Sequence, residues 1–195
     1  MFLREILDNY GVVIPNDKYM LEYFIQSDSY QHCHIDIVPI SIDYEKYRQV
    51  EVFYRKTINN TREKKQYTDF ENSFKQVLTK MWLCSETFVG IDAIYPDFKK
   101  TKSFIEKPYK KYVSLFFQAY KSQEFKAVEQ KEIMDGYSII GLRNIANVVY
   151  YFKSLHILIF SNFSCLTVVF LKHDNSIYSI VKDIVNSEGL FLRKT

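Results

Sequence analysis

At 195 residues and 23.3 kDa the chain fits one domain, and 47% hydrophobic residues are enough to bury a real core, which excludes global disorder. Its five glycines (Gly11, Gly90, Gly136, Gly141, Gly189) are scattered singly, so no backbone cradle for phosphate exists; this argues against kinases, P-loop NTPases and dinucleotide enzymes together. The net charge of +3 is too small to announce a nucleic-acid binder, and its segmentation says more: −6 over residues 1–45, +5 over 46–66 and +4 over 97–111.

In chain order, residues 2–10 and 17–27 read as two short helices around Gly11-Val12-Val13-Ile14-Pro15-Asn16. The charges spread through Met1–Asp8 do not spell a secretory signal. Strand candidates come next at 34–40 and 49–57, where Ile35 and Ile37, then Val50, Val52 and Tyr54, alternate with polar residues. Asn59-Asn60-Thr61-Arg62-Glu63-Lys64-Lys65 reads as a loop. Thr68-Asp69-Phe70-Glu71 spells a capping box opening a helix whose buried stripe is Phe70, Phe74, Val77, Leu78 and Met81, with Trp82 at its border. Phe88–Ile94 is a further strand, ended by Tyr95-Pro96-Asp97.

Pro108 suits a helical first turn, and Tyr109, Tyr112, Val113, Phe116, Phe117 and Tyr120 keep helical spacing; a strand through Val113, Leu115 and Phe117 is the competing reading. Leu142, Ile145, Ala146, Val149 and Phe152 suggest a helix over 138–152. Leu155–Phe160 and Cys165–Leu171 are apolar runs joined by Ser161-Asn162-Phe163-Ser164. The interval 154–171 reaches the lower edge of a membrane span, but its central turn and β-branched content favour a buried hairpin. The last helix carries Ile177, Ile180, Val181, Ile184 and Val185 on one stripe, with Asp174 or Asn175 as cap and Gly189-Leu190 as stop; Leu190–Arg193 closes the chain as a strand. The mixture predicts a single α+β domain over 1–195: several helices on a mostly antiparallel sheet, ending in a strand–strand–helix–strand unit.

Chemistry is harder to find. His32-Cys33-His34 would place two imidazoles on one side of a strand, but a metal needs three or four ligands, so no metal site is assigned. Cys33 points away from both flanking histidines on a strand, which makes them poor bases for it. The three cysteines, odd in number and set among apolar residues, read as buried thiols of a reducing compartment, hence a cytoplasmic protein. No repeated carboxylate spacing builds a hydrolytic cleft, so neither a catalytic residue nor a cofactor is assigned. Arg62-Glu63-Lys64-Lys65, Lys99-Lys100-Thr101-Lys102 and Lys107-Pro108-Tyr109-Lys110-Lys111-Tyr112 interleave base with aromatic as nucleic-acid clefts do. The acidity elsewhere favours lysines that merely solubilise a Tyr/Phe-rich fold, since a binder shows a sustained basic face.

The apolar hairpin, the short amphipathic helix and the closing Ser187-Glu188-Gly189-Leu190-Phe191-Leu192-Arg193 resemble immunity proteins of bacterial polymorphic toxin systems, of the contact-dependent growth inhibition type. The likeness covers about the last quarter of the chain and carries over no family binding residue; the positive net charge departs from the acidic balance of an inhibitor of a basic nuclease. It implies a non-catalytic module that neutralises one cognate protein toxin domain. Such a surface needs aromatic anchors inside a charged rim. The acidic first 45 residues, threaded with tyrosines, suit that, and the residues singled out are Asp28, Tyr30, Asp36, Asp43, Tyr44 and Glu45. A nucleic-acid-binding accessory protein using residues 97–112, and an enzyme of unrecognised class, are the alternatives.

Overall fold

The computed structural model describes residues 3–13, 20–39, 61–94, 105, 107–122, 124–162 and 165–194. Two short helices, α1 (Leu3–Asp8) and α2 (Met20–Gln26), precede strand β1 (Gln31–Asp36). The long helix α3 (Thr61–Cys84) leads into β2 (Thr87–Ile94). A 3-10 turn (Lys107–Tyr112) runs directly into α4 (Val113–Ser122), succeeded by the two-residue β3 (Lys126–Ala127) and α5 (Lys131–Leu142). Strands β4 (Ala146–Phe152), β5 (Ile157–Asn162) and β6 (Cys165–Phe170), helix α6 (Asn175–Ser187) and β7 (Phe191–Lys194) complete the described chain. The fold is α+β, with one antiparallel sheet in the order β3-β2-β4-β5-β6-β1-β7. The C-terminal strand–strand–helix–strand unit is present, with β1 inserted between its hairpin and its closing strand.

Alternation along the strands builds two cores. Val148, Tyr150 and Phe152 of β4, Ile157 and Ile159 of β5, Leu166 and Val168 of β6, and Cys33 and Ile35 of β1 meet α3, α4, α5 and α6 on one face. The intervening Val149, Tyr151, Leu158, Phe160 and Val169 point the other way, where Ile6 and Leu7 of α1 and Met20 and Phe24 of α2 cover them. The central strands are therefore greasy on both sides, as a sheet enclosed between two helical layers requires.

Several expectations from the sequence are corrected by the fold. The stretch that reads as a loop, 59–65, is helical from Thr61, because the buried stripe begins one turn earlier at Tyr67. Thr68 is not a cap: inside α3 its hydroxyl donates back to the Lys64 carbonyl at 2.8 Å. Glu71 turns inward, where Arg143 Nε and Nη2 donate to its two oxygens at 2.7 and 2.8 Å and the Tyr67 hydroxyl donates at 2.8 Å. The helix expected over 138–152 is divided: α5 stops at Leu142, Asn144 takes a left-handed φ of 56°, and β4 begins at Ala146. At 107–122 the helical reading holds and the strand does not. Asp174 caps α6 by accepting from the Ser176 and Ile177 amides, while Gly189 (φ 72°) and the Leu190 amide bonding to the Val185 carbonyl close it. The expected strand at 49–57 lies outside the described residues.

Candidate functional site

The layer formed by α1, α2 and the turn after α2 is the most distinctive surface of the described chain. Its inner side is fixed by Ile6, Leu7, Met20 and Phe24, all buried against β4, β5 and β6. Its outer side exposes the carboxylates of Glu5, Asp8, Glu22 and Asp28, with Ile25 42% exposed between them. Tyr10, Tyr23 and Tyr30 are half-buried, their rings packed on the sheet or on each other's neighbours. Phe24 organises two of them: Tyr23 and Tyr30 both meet its ring edge-on, at centroid distances of 5.5 and 5.1 Å. Burial, reinforced by the charge that Tyr23 would carry, pushes the Tyr30 phenol up, so it stays a neutral hydrogen-bonding tip. Such rings lose little rotamer freedom when a partner arrives, because packing has already fixed them.

The residues singled out in the sequence separate on this view. Asp28 and Tyr30 lie together in the layer. Asp36 is 7% exposed and serves the interior: one oxygen accepts from the Ile37 and Val38 amides at 2.6 and 3.3 Å, and the other pairs with Arg193 of β7. It is a latch between β1 and β7 as well as a brace for the chain leaving the sheet. Asp43, Tyr44 and Glu45 lie outside the described residues. Glu5, Asp8, Glu22, Tyr10 and Tyr23 join the site through packing; their sequence signal is the acidic balance of the first 45 residues, which does not say which carboxylates share a face.

Tyr10 also carries a polar node that spacing does not reveal. Its hydroxyl lies 2.6 Å from His156 Nδ1 and 2.9 Å from the Tyr151 hydroxyl, joining the end of α1 to the β4–β5 hairpin. His156 sits at the hairpin turn with a left-handed φ of 50°. Burial, helped by Lys172 and opposed by Asp174, lowers its pKa, so the ring is neutral at pH 7. The Tyr10 hydroxyl is thus within hydrogen-bond reach of both groups at once. Chemically this chain of hydrogen bonds holds α1 on the sheet.

His32 and His34 share the face of β1 opposite Cys33 and Ile35, with ring centroids 6.5 Å apart. His34 Nδ1 lies 3.0 Å from Thr167 Oγ1, and burial, Arg193 and His32 lower its pKa against the opposing Asp36. Among the described residues no group of three or more His, Cys, Asp or Glu side chains is arranged to hold a metal. Cys33 is buried as expected, whereas Cys84 at the end of α3 is exposed. The apolar interval 154–171 contains the β5–β6 hairpin, and no described helix is long and apolar enough to cross a membrane. No protein-family model matches the chain, and neither the curated proteins nor the solved structures give a match.

Proposed function

We propose that this protein is a non-catalytic binding module that neutralises a cognate toxin domain, with the α1–α2 layer as its recognition surface. The observation that carries the reading is the pairing of exposed acidic residues (Asp8, Glu22, Asp28) with packed tyrosines (Tyr10, Tyr23, Tyr30) on one rigidly seated layer. Aromatic anchors supply contact area at little entropic cost, and the surrounding carboxylates steer a basic partner into register. The partner is accordingly a protein domain with a basic rim, covered at its active site or held in an inactive shape. The sequence pattern of the closing hairpin, helix and strand, which resembles that of immunity proteins, supports a toxin as that partner. No cofactor takes part, and the cytoplasm is where such a protein intercepts its toxin.

Co-expression with the products of neighbouring genes tests the class: one toxic product becomes harmless and forms a stoichiometric complex with this chain. If every toxic neighbour stays lethal and none co-purifies, the reading fails. The surface is then tested by reversing Glu22 and Asp28 to lysine, both exposed. Affinity falls at least tenfold and loses part of its salt dependence, while the melting temperature holds. Asp36 is unsuitable for that test, because reversing it breaks the pair with Arg193 and conflates folding with binding.

A further inference from the structure

Across the sheet from the acidic layer, the 3-10 turn and α4 present a second charged surface. Tyr112, Phe116 and Ala119 are buried, which turns Lys107, Lys110, Lys111 and Lys121 to solvent. The sixteen residues from Lys107 to Ser122 contain those four lysines and no carboxylate. None of the four forms an ion pair with a described residue, in contrast to Lys126, Lys131 and Lys153, which are held by Glu124, Asp135 and Glu86. Lys111 sits 4.7 Å above the Tyr112 ring, and Glu132 is the acidic group that bears on it. Between the lysines, Leu115 and Tyr120 stay 42% and 39% exposed.

We infer that this face binds single-stranded nucleic acid, the lysines taking successive phosphates and Tyr120 offering a stacking surface to a base. A phosphate backbone is the ligand that uses several unpaired ammonium groups spread along roughly 20–25 Å of helix, while an exposed ring among them is a platform every base can use. An anionic membrane would demand a broad apolar face, and Leu115 with Tyr120 supplies too little of one. The inference rests on different residues from the toxin-binding reading, on the opposite side of the sheet, so each survives the failure of the other.

Fluorescence anisotropy with labelled polyuridine and polythymidine strands tests it. With four phosphate contacts, the affinity of the intact protein falls roughly fifty-fold between about 50 and 200 mM salt. Replacing Lys107, Lys110, Lys111 and Lys121 together by glutamine abolishes binding. Tyr120→Ala weakens it about fivefold or more and leaves the salt slope alone. Should the quadruple variant melt early, Lys110→Gln and Lys121→Gln singly carry the same test, each reducing the slope by about 0.7. A preference for either strand supports the inference and identifies the sugar. Absence of binding at low salt, or wild-type affinity in the lysine variants, overturns it. So does lysine-dependent capture by phosphatidylserine vesicles with none by either strand.

Discussion

Gly141 and Ser161 show how far a single side chain decides the fit between a helix and this sheet. The Val148 amide donates to Ser161 Oγ at 3.0 Å, and that hydroxyl donates to the Val148 carbonyl at 3.3 Å, so the serine is locked on the inner face of the sheet. A Cβ on Gly141 would stand 2.2 Å from that Oγ and 2.6 Å from the Ser161 Cβ, distances no rotamer relieves. Gly141→Ala therefore forces α5 off the sheet and costs about 1–3 kcal/mol, read as a lower urea midpoint. Adding Ser161→Gly removes both colliding atoms, so the double variant is more stable than the sum of the single changes implies. Additive losses would mean that the two residues do not meet. Glycine at 141 is plain in the sequence, but its reason lies on a strand twenty residues away.

Elements are legible in the sequence where one face is wet or where the apolar run is too short for a helix. α6 can be read because its apolar stripe is narrow and its ends carry an acid and a glycine; the hairpin can be read because its two runs are short. β4 reads as helix because every residue from Val148 to Phe152 is buried. A strand covered on both faces always contains a helically spaced subset such as Leu142, Ile145, Ala146, Val149 and Phe152. The stop signal is Asn144, a residue that tolerates the left-handed conformation ending α5. At α3 the error is opposite: Thr61–Gln66 has no buried face, so its helical state is set by the buried stripe beginning at Tyr67, and the Thr-x-x-Glu spelling misleads. Two substitutions separate a true cap from a false one. Asp174→Ala deprives the Ser176 and Ile177 amides of their acceptor and lowers the melting temperature. Thr68→Ala removes only a back-bond within α3 and changes stability by about 0–0.5 kcal/mol, in the stabilising direction. A comparable loss at both positions would restore Thr68 as a cap.

At the scale of the whole molecule, the sheet separates the α1–α2 layer, which exposes Glu5, Asp8, Glu22 and Asp28, from the 3-10 turn and α4, which expose Lys107, Lys110, Lys111 and Lys121. The sequence displays these charged residues but not that a sheet stands between them. Nor does it show that Asp36 is claimed by Arg193, 157 positions away. The aromatic content has a further collective consequence. Burial raises the phenols of Tyr67, Tyr137, Tyr150 and Tyr151 above their ordinary 10.0, with Glu71 adding to the effect at Tyr67 and Tyr10 at Tyr151. A pKa raised on folding contributes stability that is complete below the unfolded value and is lost as pH climbs toward the folded one. Because all four shifts have one sign, they act together. From pH 10 upward the native state holds protons that the unfolded chain releases, and stability falls steeply. Phenolate absorbance should accordingly stay low for these rings until the far-ultraviolet circular dichroism collapses, both signals changing in one transition. A gradual phenolate rise with the dichroism intact would place these rings in water and dissolve the two-core arrangement on which both proposed surfaces rest.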